Sequence, residues 1–143
     1  MRKIHFFKEE IDFSLRNKGK IKAWILKIIY DLHHFTLARG TDLNFIFCND
    51  QYLHKINMDY LQHDTFTDII TFDQAEKPNT VGGDIFISVE RVKENAKNLG
   101  IDFDIEIRRV IIHGVLHLLG FKDKTTRDAK LMREKEEICL KIY

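Results

Sequence analysis

The chain has 143 residues, 44% apolar and 31% charged, with 23 basic against 22 acidic side chains and a formal net charge of +1. A chain of that length can bury about two-thirds of its unfolded surface around one core, so residues 1–143 are expected to form a single domain. The composition excludes the low-hydrophobicity signature of disorder and a disulfide-dense scaffold, and the near-neutral charge argues against a surface broadly committed to nucleic acid.

The opening "MRKIHFFKEEIDF" places acidic residues where a signal peptide needs an apolar run. No window approaches the roughly 18 consecutive apolar residues of a membrane span, so a cytoplasmic protein with no membrane partner is expected. "KIHFF" and "DLNFIFC" (Asp42–Cys48) are aromatic and β-branched runs that read as strands. Between them Ile21, Trp24, Ile25, Ile28, Ile29 and Leu32 recur at helical spacing, predicting an amphipathic helix from about Gly19 to Phe35. Asn49 is suited to cap a helix carrying Leu53, Ile56 and Met58. "TFTDIITF" (Thr65–Phe72) and "GGDIFISV" return to strand chemistry.

Ser88 can cap a helix with Val92, Ala96 and Leu99 on one face, ended by a left-handed Gly100. A further helix opens at Asp102 or Asp104, with Phe103, Ile107, Val110, Ile111 and Leu118 as its buried stripe up to Gly120. Thr125 and Asp128 form a capping box for the last helix, with Ala129, Met132, Cys139 and Ile142 facing inward. Cys48 and Cys139 lack CxxC spacing and read as buried thiols. The order β-α-β-α-β-β-α-α-α, without linker or repeat, predicts an α+β domain with a small mixed sheet of about four strands packed with about five helices.

The chemistry concentrates in "HGVLHLLGFKD", His113 to Asp123. On a helix His113 and His117 lie one turn apart on the same face and can aim imidazole nitrogens at one point. Gly120 can stop that helix and turn the chain back, bringing Asp123 to the histidine face as a third ligand. The layout H-x-x-x-H-x-x-G-x-x-D parallels the metzincin zinc motif, but Gly114 stands where those peptidases carry the glutamate base. On pattern alone the site reads equally as a metal centre or as two histidines on an ordinary apolar helix.

The same stretch resembles the H-G-x-L-H-L-x-G-Y-D-H signature of the YbeY family of bacterial endoribonucleases and rRNA maturation factors. "TDIITF" (Thr67–Phe72) is similar to the family's T-D-V-L-S-F strand, "GGDIFIS" (Gly82–Ser88) to its L-G-D-I-x-I-S, and "NMDY" (Asn57–Tyr60) to its N-x-x-Y-R element. The resemblance implies a metal cleft between a helix and the sheet and cleavage of single-stranded RNA. It also implies roles in maturing the 3′ end of 16S rRNA and in ribosome quality control, with rRNA and the small ribosomal subunit as partners rather than DNA. By position it makes His113 and His117 metal-binding catalytic residues and places Asp68 near the cleft.

Three departures bear on that expectation. Asp123 stands at the third histidine position, a carboxylate that is an acceptable ligand for one divalent ion, zinc first. Two histidines and a carboxylate also suit iron or another transition metal. A one-residue insertion would instead put Lys124 at the ligand position, and the ungapped match is preferred. Leu61 replaces the family arginine, a natural phosphate partner, and Asp73 replaces a proline at a strand end. Lys122 and Lys124, flanking Asp123, are the leading substitute cations, followed by Arg127, Lys130, Arg108 and Arg109. The loss of the arginine leaves open a metal-stabilised small-subunit assembly factor that does not cut RNA. His5, His33, His34, His54 and His63 show no ligand spacing.

Overall fold

The computed structural model describes residues 2–62, 67–75, 77 and 80–143, with backbone alone for Arg2 and residues 33–39. The chain runs β1 (Arg2–Glu9), α1 (Lys18–Arg39), β2 (Thr41–Cys48), α2 (Asp50–Leu61), β3 (Ile69–Asp73), β4 (Val81–Ser88), α3 (Val89–Leu99), α4 (Phe103–Leu118) and α5 (Thr126–Lys141). This is the expected element order. The strands form one sheet in the order β1-β2-β4-β3, with β1, β2 and β4 parallel and β3 antiparallel to β4, which makes the fold α+β with a small mixed sheet.

Alternation along the strands divides the sheet into two faces. Leu43, Phe45 and Phe47 of β2 and Val81, Ile85 and Ile87 of β4 are buried in the main core with Ile21, Trp24, Ile25, Ile28 and Ile29 of α1 and Ile107, Val110 and Ile111 of α4. Positions of opposite parity, Cys48, Ile70, Phe72 and Phe86, meet Tyr52, Leu53 and Ile56 of α2 in a smaller cluster on the other face. The indole N–H of Trp24 donates to the Cys139 carbonyl at 2.8 Å, tying α1 to the end of α5.

Local capping follows the residues chosen from sequence at α2, α3 and α5, whereas Asp102 precedes α4 without a side-chain cap bond. The Asn49, Ser88 and Thr125 side chains accept from the backbone N–H groups of Tyr52, Arg91 and Asp128, and Gly100 ends α3 at φ 67°. Four expected inward residues are exposed instead. Met58 lies five positions after the buried Leu53, which at about 100° per residue carries it roughly 140° around the helix; Asn57, one turn from Leu53, is buried in its place. Leu99, Ala129 and Ile142 stand in terminal turns, where the apolar period no longer points into the core. Thr65 and Phe66 lie outside the described residues, and β3 extends through Asp73, whose carboxylate accepts from the Ala75 N–H at 3.0 Å.

Helix α4 approaches the sheet closely at one position. A Cβ on Gly114 would fall 2.9 Å from both Ile69 Cδ1 and Ile85 Cγ2, so glycine permits the helix to settle on β3 and β4 despite its poor helix propensity. Gly114→Val is expected to destabilise the protein by about 1–3 kcal/mol through overpacking. Urea unfolding checks this; an unchanged midpoint at unchanged slope would contradict the close-packed contact.

Candidate metal centre

Helix α4 carries His113 and His117 one turn apart on the side facing the chain segment that follows the helix. The helix ends in a Schellman arrangement: the Gly120 N–H donates to the His117 carbonyl at 3.0 Å and the Phe121 N–H to the Leu116 carbonyl at 3.0 Å, with Gly120 at φ 102°. Any side chain at Gly120 would be strained in that conformation. The reversal returns Asp123 to the histidine face.

One oxygen of Asp123, Oδ2, lies 3.3 Å from Nε2 of His113 and 3.3 Å from Nε2 of His117. The two rings are 4.6 Å apart between centroids and inclined at 80°. Bonds of about 2.0–2.1 Å from donors to a tetrahedral ion place those donors about 3.3 Å from each other, so two edges of the triangle have the spacing of a zinc coordination shell. All three donor atoms lie within 4.8 Å of one another, and they are the one such group of three or more among the described residues. The donor chemistry, two neutral imidazole nitrogens and a carboxylate, fits zinc and also iron.

Beside this group a cavity of 270 Å³ is lined by Asp68 and Ile69 from the start of β3, Glu106, Arg109, Val110 and His113 from α4, Asp123, and Arg133 and Glu136 from α5. Asp68 lines this cavity, and Asn95 donates to it at 3.5 Å. Burial raises the pKa of its carboxyl, partly opposed by the charge of His113. Burial likewise raises Glu106, against the pull of Arg109. Burial pushes the His113 imidazole down, but its hydrogen bond to Glu136, with the charges of Glu136, Asp123 and Asp68, outweighs that and raises it.

The cations read from sequence are placed differently from one another. Lys122 and Lys124 are exposed on the turn at either side of Asp123, outside the cavity lining, and Arg127 and Lys130 are exposed further on. Arg109 is committed to carboxylates, donating to Glu106 at 3.1 Å and pairing with Glu137. The Arg108 guanidinium lies 4.2 Å from the centre of the Tyr143 ring. Arg133, absent from the sequence reading, lines the cavity with its side chain 57% exposed. Glu136 was also missed, although its spacing between Met132 and Cys139 sets an acid on the buried stripe of α5. Of the remaining histidines, His5 is exposed and His54 half-buried, while the side chains of His33 and His34 and all of His63 lie outside the described residues. Tyr60 and Leu61, at the end of α2, are exposed.

Neither cysteine offers a nucleophile. Burial, reinforced by the charges of Asp50 and Glu9, pushes the Cys48 thiol up to about 12, and burial pushes Cys139 up to about 11.

A family profile described as Endoribonuclease YbeY matches residues 4–143. The chain is similar to an Endoribonuclease YbeY of Christiangramia forsetii, with 52% identity over 140 residues that cover 98% of this chain and 94% of the relative. It is 47% identical to an Endoribonuclease YbeY of Flavobacterium johnsoniae over 137 residues, 96% of this chain and 95% of the relative. A solution structure of a protein from Thermotoga maritima superposes with a TM-score of 0.61 at 25% identity, covering 96% of this chain and 87% of that one.

The thiol environment gives a direct expectation. In the folded protein at about pH 8, both cysteines should resist a disulfide reagent and react only after denaturation. Rapid modification of either thiol in the native state would contradict their burial.

Proposed function

The chain belongs to the YbeY family, and on that premise we propose that it is a metal-dependent endoribonuclease. In this reading it cuts single-stranded RNA in maturing the 3′ end of 16S rRNA and in ribosome quality control. It works as a single domain in the cytoplasm, on rRNA or the small ribosomal subunit. The observation that carries the reading is the approach of two Nε2 atoms to 3.3 Å from one Asp123 oxygen. No helix of the described residues is long and apolar enough to cross a membrane, which is compatible with that location.

His113, His117 and Asp123 would hold the ion, with zinc the first choice. Bound there, a divalent ion supplies Lewis-acid stabilisation of charge on a phosphoryl oxygen and lowers the pKa of a bound water toward about 7. The rest of the task falls to the chain. Gly114 packs against Ile69 and Ile85 and carries no side chain, so that helix position supplies no base for peptidase chemistry on the metzincin pattern. RNA carries its own nucleophile in the ribose 2′-OH, which lessens the need for a protein base. Asp68 borders the cavity and can orient a hydroxyl by hydrogen bonding. Lys122 and Lys124 flank Asp123 and can meet the phosphates of a strand laid across the turn.

A second reading, a metal-stabilised small-subunit assembly factor without nuclease activity, is favoured by one observation: an exposed leucine, Leu61, occupies the place of the family arginine. Metal-quantified protein incubated with single-stranded rRNA fragments separates the two. Cleavage is expected, reduced more than about 100-fold in His117→Ala, because loss of a ligand exceeds the 10–100-fold typical of losing a residue that merely orients one. Cleavage unaffected by His117→Ala would refute the nuclease assignment. Tight binding to small subunits with no cleavage would establish the assembly role in its place.

A further inference from the structure

An imidazole has two nitrogens, and a ring can serve a metal through one only if the proton sits on the other. In His113, Nε2 faces Asp123, while Nδ1 lies 2.7 Å from Oε2 of Glu136 across the α4–α5 interface. The Glu136 side chain is 6% exposed, so little water competes for that contact. A carboxylate only accepts hydrogen bonds; the 2.7 Å contact to Glu136, shorter than the 3.3 Å from Nε2 to Asp123, therefore draws the proton of the uncharged ring onto Nδ1 and leaves the Nε2 lone pair for an ion held between it and Asp123.

Glu136 is itself held. Its other oxygen, Oε1, lies 3.7 Å from Nη1 of Arg109 and 3.8 Å from Nη1 of Arg133. Arg109 is fixed in turn by Glu106, one turn back on α4, and by Glu137 on α5. A side chain locked at both ends defines the plane and direction of the ring that it contacts. Outer hydrogen bonds of this kind set both the tautomer and the orientation of metal-binding histidines.

We infer that Glu136, anchored by Arg109, is a positioning residue that fixes His113 as an Nε2 donor. It acts through His113 alone: it sits on the far side of the ring from Asp123, so it is neither a ligand nor a base at the reacting atoms. A purely structural alternative exists, in which Glu136 and Arg109 only pin α5 to α4. Buried ion pairs are weak evidence for stability, so the two roles need a readout that stability does not supply. The inference rests on the assignment of His113 to a metal, but the tautomer can be observed in metal-free protein.

The test uses the full chain labelled with 15N-histidine, stripped of metal and kept well above neutral pH, where the imidazole is uncharged. Two-bond proton–nitrogen spectra report which nitrogen carries the proton, and zinc affinity is then measured by chelator competition. Wild-type His113 should be protonated on Nδ1. Glu136→Ala should shift His113 toward the Nε2-protonated form and weaken zinc binding about 10–100-fold, with helical content retained. Glu136→Gln keeps a carbonyl acceptor and should preserve the tautomer with a smaller loss of affinity.

A wild-type His113 protonated on Nε2 overturns the inference, and that measurement requires no variant to fold. So does a folded Glu136→Ala protein with the wild-type tautomer and wild-type zinc affinity. An Nδ1-protonated His113 in a wild-type protein that binds neither zinc nor iron supports tautomer selection by Glu136 and refutes the metal assignment instead.

Discussion

The candidate centre exists because the backbone reverses at Gly120, in a left-handed conformation that an ordinary residue would occupy only under strain, and returns a carboxylate to a helix it has just left. Two histidines at i and i+4 are supplied by any helix; a third donor 3.3 Å from both is supplied only by that turn. The reversal is useful because the helix is itself immobilised. At Gly114, α4 rests against Ile69 and Ile85 with no space for a Cβ, so the imidazoles project from a rigid platform rather than from a loop. The same contact accounts for the absence of the metzincin glutamate: a side chain at this position would meet the sheet, and the residue that lets the helix pack is incompatible with one that would serve as base.

Around this platform the charge is segregated in a way that the formal net charge of +1 conceals. The cavity beside His113 collects Asp68, Glu106, Asp123 and Glu136 against Arg109 and Arg133. Burial raises the pKa of the Asp68 and Glu106 carboxyls, against the pull of the neighbouring cations. A divalent cation is the natural counter-charge for such a cleft. On the proposed reading, such an ion would also convert a surface that repels a polyanion into one that accepts a phosphate, which would couple metal binding to RNA binding.

Much of the fold was legible because its signals are local. Asn49, Ser88 and Thr125 cap the helices they precede, Gly100 and Gly120 take the left-handed conformations that end α3 and follow α4, and the alternation in Asp42–Cys48 gives the buried face of β2. The His113–His117–Asp123 grouping was legible for the same reason: helical period and one glycine are enough to bring it together. What escaped was set by packing between elements. Glu136 meets His113 from a different helix, and Arg109, a candidate phosphate ligand by sequence, is consumed by acids on α4 and α5. An acid on the inner stripe of α5 was a visible anomaly, but its partner could be named only once α4 and α5 were placed side by side.

The central claim is that one ion is held by Nε2 of His113, Nε2 of His117 and a carboxylate oxygen of Asp123. Anomalous diffraction at the zinc edge, from crystals grown with excess zinc, addresses it most directly. The account predicts a single strong peak within about 2.0–2.2 Å of all three atoms. A map with no peak there, and the three side chains turned away from one another, would contradict it.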